Sequence, residues 1–282
     1  MRRRQLGARV RTGIALGYLM LIVLAIIYIY PFLISIATSF KTESEATQNT
    51  LSLLPQTWSF AAYERLFTEV PLGTWTMNSA IVTVFVTLGR VFFDALAGYA
   101  LSRLDFRGRT VIFAGFVAVL AVPNVVLLIP RFLLLKQFGI FDSYAGMILP
   151  LIADAAGIFI MKQFFDSLPA SIEEAARIDG AGIFRTFWSV VLPMARPALV
   201  TLTILSFQGS WNEYAHFLVS TQSQDLRTLT TGVASLVSGQ YGSGNQYPLQ
   251  LGAAVLMSIP VAVLFFVFQR RIMNTTEGAE KG

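Results

Sequence analysis

Cysteine is absent from this 282-residue chain, and histidine occurs once, at His216. Disulfides and thiolate-held zinc or iron–sulfur centres are therefore excluded, and a metal enzyme is left without its usual ligands. Charge is scarce as well: 13% of residues are charged against 55% hydrophobic, with a mean hydropathy of +0.62. Such a balance is too apolar for a soluble domain and suits a single polytopic membrane domain. No Gly-x4-Gly-Lys-Ser/Thr phosphate loop occurs, so the chain is not expected to bind ATP itself. The net charge of +5 and pI near 9.6 come without a contiguous basic patch, which argues for charge that sets topology and against a nucleic-acid surface.

What is present is a series of long apolar segments. After Arg2, Arg3, Arg4, Arg9 and Arg11, the run from Thr12 to Phe40 contains no charge, more than the ~20 residues that cross a bilayer. Ser35-Ile36-Ala37 loosely resembles a signal cleavage site, but the apolar run is about twice the length of a signal core, so an uncleaved first span is expected. Six spans are predicted, near 14–37, 77–101, 111–135, 146–165, 198–220 and 251–268. The fold class is all-α: a polytopic membrane domain over 14–269, a segment 1–13 before it and a tail 270–282 after it. Pro123 and Pro130 predict a bend in the third span, and the 41–75 loop is expected to be external and to carry short helices. Counting Lys162 with the loop it precedes, fifteen lysines and arginines fall on the side of the termini and the 166–197 loop, and five on the other. Positive charge stays inside, so both termini and that loop are expected to be cytoplasmic.

The most informative stretch is Ser171–Pro193. Ser171 with Glu174 three residues on reads as a capping box, with Glu173 and Glu174 in the first turn, where the helix dipole favours negative charge. Gly180 and Gly182 are expected to end this helix through the left-handed conformation open to glycine. A second short helix follows, with Ile183, Phe184, Phe187, Trp188 and Val191 on one stripe, before Pro193 and Pro197 stop it. The rival reading is an ordinary amphipathic linker.

Glu174-Ala175-Ala176, then Gly180, then Val190-Val191-Leu192-Pro193 resembles the EAA-loop signature of bacterial ATP-binding-cassette importer permeases, with Val190 replacing the usual isoleucine. The resemblance implies that 166–197 is a coupling loop docking on an ATPase subunit, with Glu173, Glu174, Ala175, Ala176, Asp179, Gly180, Leu192 and Pro193 as its coupling residues. It implies no cofactor in this chain, ATP and Mg on two cytoplasmic ATPase partners, a homologous permease as heterodimer partner, an extracytoplasmic solute-binding protein, and a place in the bacterial inner membrane. Phe138–Tyr144, a Trp-Asn-Glu cluster, Asp225–Thr228 and the Lys-Gly end further resemble the carbohydrate-uptake branch, specifically the second permease of maltose-type importers. A neutral di- or oligosaccharide is the expected solute, with a glycerol phosphate derivative or amino sugar as the alternative.

Two groups of polar residues are candidates for solute contact. Gln208, Trp211, Asn212, Glu213 and Tyr214 form a polar and aromatic cluster in the fifth span, with Asn78 and Asn124 as weaker candidates of the same kind. Amides and aromatic faces hold hydroxylated solutes, although an interfacial aromatic belt and helix-joining amides explain the same residues. The Ser238–Pro248 loop offers Gln240, Tyr241, Asn245 and Gln246 to a binding protein, or is simply a Gly/Ser-rich surface loop. Asp94 and Asp154 raise a different class, an intramembrane aspartyl hydrolase. Arg90, one turn before Asp94, instead predicts an i, i+4 ion pair that offsets burial. A channel would need polar rings repeated by symmetry, and nothing here repeats.

Overall fold

In a computed structural model, residues 2–239 and 246–279 are described. Among them the chain is helical without a strand. In order come α1 Arg2–Ser39, α2 Glu43–Gln48, α3 Ala61–Thr68, α4 Leu72–Arg103, α5 Arg109–Leu120, α6 Leu128–Gln137, α7 Tyr144–Ile148 and α8 Ala155–Asp166. There follow α9 Ala170–Ile178, α10 Ile183–Thr186, α11 Leu192–Met194, α12 Arg196–Trp211, α13 Ala215–Ser220, α14 Leu229–Val237 and α15 Tyr247–Ala279. Four described stretches are long and apolar enough to cross a membrane: 14–39, 72–103, 144–166 and 247–269. The number rises to six if each of two bent pairs, α5 with the 124–137 segment and the 183–194 segment with α12, is one span.

The chain divides into two compact units, Met1–Pro71 with Val233–Ser258 and Leu72–Gly232 with Ile259–Gly282. In the first, the loop after α1 is a folded cap with short helices in it. Lys41 is buried and donates through Nζ to the carbonyls of Asn49 and Ser52, both at 2.8 Å. Glu45, also buried, accepts the backbone amides of Gln56 and Thr57. Two charged side chains thus satisfy backbone groups that no helix ladder reaches. Phe40 collects Trp58, Phe60 and Tyr63 around its ring.

In the second unit α4 packs against both α8 and α12. Glycines set the approach: a Cβ at Gly98 would stand 2.7 Å from the Cβ of Met161, and one at Gly89 2.9 Å from that of Ile152. Small residues let membrane helices meet at backbone distance, where dispersion and not water expulsion holds them. The core of this unit contains Tyr99, Met161, Phe165, Phe187, Val191 and Leu202.

Two expectations about the spans need correction. Arg90 and Asp94 form no ion pair among the described residues: Arg90 Nε donates to the Leu151 carbonyl at 2.8 Å, and Asp94 accepts the Asp154 amide at 2.9 Å. The helix expected through 198–220 is not continuous, because α12 ends at Trp211 and a non-helical Asn212–Tyr214 step precedes α13. Glu213 turns its carboxylate onto the amide of His216 at 2.9 Å, so a local cap replaces the helix ladder there. The bend in the third segment is present: its two halves meet at 99°, with Pro123 extended at the break.

Candidate functional site

The segment Ala170–Met194 leaves α8 at Pro169, whose extended backbone (φ −61°, ψ 131°) makes it the N-cap of α9. The helix therefore begins at Ala170, two residues earlier than a capping box on Ser171 requires, and Ser171 makes no cap hydrogen bond. A residue already inside the first turn has helical backbone angles, and its hydroxyl no longer reaches the next free amide. The end of α9 is as expected from Gly180, which has φ +78°. The Ala181 amide donates to Ala176 at 2.9 Å and the Gly180 amide to Arg177 at 3.0 Å, the paired bonds of a Schellman ending. Gly182, in contrast, is extended at φ −73° and opens α10. From Phe187 to Val191 the chain winds as a π-helix and runs on through Pro193 to Met194, while Pro197 sits in the first turn of α12 and starts that helix.

The two adjacent glutamates of the loop, Glu173 and Glu174, have opposite surroundings. Glu173 is buried, pairs with Arg103 Nε at 3.0 Å, and accepts the Tyr99 hydroxyl at 3.2 Å. Arg103 also donates to the carbonyls of Phe165 and Leu168, and Ser102 donates to Asp166 at 2.6 Å. These bonds join the loop to the end of α4. Glu174, Ala175, Asp179 and Gly180 are exposed, whereas Ala176 is buried. Ile178 is 86% exposed and Phe184 76%, so the outer face of α9–α10 is an apolar ridge flanked by charge and left uncovered by the described residues. Phe187 and Val191 turn the other way into the core, Phe187 lying 4.9 Å from the Tyr99 ring. Leu192 is half-buried and Pro193 exposed.

The polar candidates are divided by the structure. Asn78 is buried and fully engaged, giving both amide hydrogens to the Asp225 and Arg227 carbonyls and accepting from the Tyr144 hydroxyl. Trp211 is buried and stacks on Phe207 at 5.8 Å. Glu213 is occupied by the His216 amide. Gln208, Asn212 and Tyr214 are exposed, and Asn124 is exposed with only a 3.4 Å contact from Arg131. Gln240, Tyr241 and Asn245 lie outside the described residues. Gln246 is buried, accepts from Arg65 at 3.4 Å and precedes α15, which already includes Tyr247. No group of three or more histidine or acidic side chains able to hold a metal comes together among the described residues.

Sequence reasoning missed the Asp142 clasp. Asp142, at φ 56°, accepts the amides of Gln222 and Ser223 at 2.8 and 2.9 Å and the Ser223 hydroxyl, joining two loops far apart in sequence. Those hydrogen bonds, led by the Ser223 hydroxyl, hold its carboxyl below the ordinary aspartate range. An aspartate in the left-handed region was the available signal, but the region is invisible before the backbone is known.

Residues 95–274 match the family of binding-protein-dependent transport system inner membrane components. The chain belongs to this family. It is 35% identical to the diacetylchitobiose uptake system permease protein NgcG of Streptomyces coelicolor over 93% of this chain and 86% of that protein. It is 32% identical to the arabinooligosaccharides transport system permease protein AraQ of Bacillus subtilis, over 96% of each. Among solved structures, a bacterial ABC transporter involved in the import of the acidic polysaccharide alginate superposes with a TM-score of 0.79 at 27% identity, covering 92% of this chain and 96% of that one. The protein is thus a membrane-spanning permease subunit of an importer.

Proposed function

We propose that this permease imports a di- or oligosaccharide, with ATP hydrolysed on partner subunits that dock on the exposed face of α9 and α10. The observation that supports this most is the division of the signature loop: Glu173 is consumed in holding the loop to α4, while Glu174, Asp179, Ile178 and Phe184 are free for a partner. A rigid element fixed at one face and bare at the other passes displacement between a partner and the membrane helices. On this reading both termini and the loop are cytoplasmic, the partner permease makes a heterodimer, and a binding protein delivers solute from outside. Gln208, near the outer end of α12, and Asn212 and Tyr214 in the step after it are the residues proposed to face the solute; at ~1.5 Å per residue Gln208 stands about 18 Å from the start of that helix. Their amides and aromatic face suit neutral hydroxylated solutes. The oligosaccharide uptake systems named by the relatives favour the same class.

Co-expression with the partner permease, ATPase and binding protein, followed by ATPase assay in proteoliposomes, tests this. Stimulation by a binding protein loaded with diacetylchitobiose or arabinooligosaccharide is expected. Stimulation by glycerol 3-phosphate alone would overturn the solute class, and none by any sugar or phosphate would overturn the importer reading.

A further inference from the structure

Between α7 and α8 the fourth membrane segment is broken. Leu149–Leu151 is a 3-10 turn, and Asp154 is extended (φ −137°, ψ 131°) before α8 begins. An extended residue interrupts the helix ladder and leaves the Leu151 carbonyl and the Asp154 amide without their usual partners. In a bilayer such groups must be satisfied by the protein. Both are satisfied by α4: Arg90 gives its Nε–H to Leu151, and Asp94, four residues on and about one helical turn away, takes the amide of Asp154. Asp94 is wholly buried, and its second oxygen has no hydrogen-bond partner. Room for these side chains is made by glycine. A Cβ on Gly157 would collide with the Asp94 carboxylate and reach 2.9 Å from Leu202, and one on Gly209 would meet the Arg90 guanidinium at 3.4 Å.

The far end of α8 is bonded to the same helix through Ser102–Asp166, Arg103 to the Phe165 and Leu168 carbonyls, and Tyr99 and Arg103 to Glu173. Span two is therefore fastened to α8 at its beginning and at its end. We infer that Arg90 and Asp94 are positioning residues that lock the break in the fourth segment onto α4, making α4, α8 and α9 one rigid lever between the docking loop and the opposite membrane face. That the lever works during transport rests on the importer reading; its rigidity does not.

The chain has no native cysteine, so spin labels can be placed at exposed Met77 and Ile178, towards opposite ends of the lever, by substituting Met77→Cys and Ile178→Cys. Distances are measured in nanodiscs with the partner subunits, nucleotide-free and vanadate-trapped. The unaltered pair is expected to give one narrow distribution, the same in both states. Asp94→Ala should broaden it at least twofold, and Asp94→Asn, which keeps an acceptor oxygen, should restore the narrow width; Arg90→Leu should broaden it and Arg90→Lys recover part. A distance that changes by several ångströms on trapping, or an Asp94→Ala distribution as narrow as the original, would overturn the lever. Equal broadening by Ala and Asn would overturn the hydrogen-bond role. Assembly failure of both Asp94→Ala and Arg90→Leu, with Asp94→Asn assembling, would reduce the pair to a folding role and also overturn it. A third label on the ATPase reports separately: no response of its distance to Ile178 on trapping would break the importer reading and leave the lever standing on its width.

Discussion

In the third apolar segment the chain bends by 99° at Pro123, and neither α5 nor the 3-10 turn at Asn124–Leu127 has a buried residue. In the fourth segment the break at Asp154 contains no proline after Pro150, yet it is enclosed, with Gly157, Ile158 and Met161 buried directly beyond it. The first break is made by the chain itself, because proline has no amide to continue the ladder and its ring displaces the preceding turn. The second is made by a neighbour: among the described residues, Arg90 and Asp94 provide the hydrogen bonds that make an extended Asp154 tolerable. A covalently imposed bend can remain bare within this chain, whereas one imposed by side-chain bonding has to be packed.

The largest effect should come from crowding the packed break. Gly157→Val is expected to cost about 3 kcal/mol or more, since the new methyls displace the Asp94 carboxylate. Gly115→Val on α5, where a Cβ meets nothing within 4 Å, should leave the melting temperature of the purified subunit nearly unchanged. Equal losses in a thermal-shift assay would erase the distinction between the two breaks.

The contrast recurs inside the Ala170–Met194 loop. Glu173→Ala leaves Arg103 without its carboxylate in a mostly buried site and is expected to cost about 3 kcal/mol, seen as reduced detergent-resistant assembly. Glu174→Ala should leave assembly within about 0.5 kcal/mol of the original and lower binding-protein-stimulated ATPase. A stability loss from the exposed glutamate equal to that from the buried one would contradict the division of roles.

Pro123→Ala sharpens the comparison from the other side. Where the backbone keeps its bend, loss of the ring's restriction on the unfolded chain should cost only about 0.4–1 kcal/mol, measurable as a small fall in melting temperature. A fall as large as that of Gly157→Val would mean that tertiary packing, and not the proline, sustains the first break.

The smallest effect concerns Asp142. Its carboxyl is held below the ordinary value in the folded chain, so its stabilisation is fully present above about pH 4 and is lost as pH falls through the lowered folded value. Ser223→Ala should narrow the difference in melting temperature between pH 6 and pH 3. An unchanged difference would show that the clasp contributes nothing to acid sensitivity.

By itself the sequence determined the all-α membrane class, the short helix of the 166–197 loop with its Gly180 ending, and the bend at Pro123. These rest on local properties: uninterrupted apolar length, glycine's freedom at positive φ, and proline's missing amide. The tertiary structure decided which polar residues are free. Asn78, Glu173, Glu213 and Gln246 look as available as Gln208, Glu174 and Asn212 in the sequence, but bonds to residues up to 181 positions away occupy some of them and leave the others open. Arg90 and Asp94 were legible as an adjacent pair of opposite charge, and local spacing favoured binding each other. Two backbone groups released by an extended Asp154 bind them instead, because in a medium without water an unsatisfied amide or carbonyl outweighs the attraction of two side chains one turn apart.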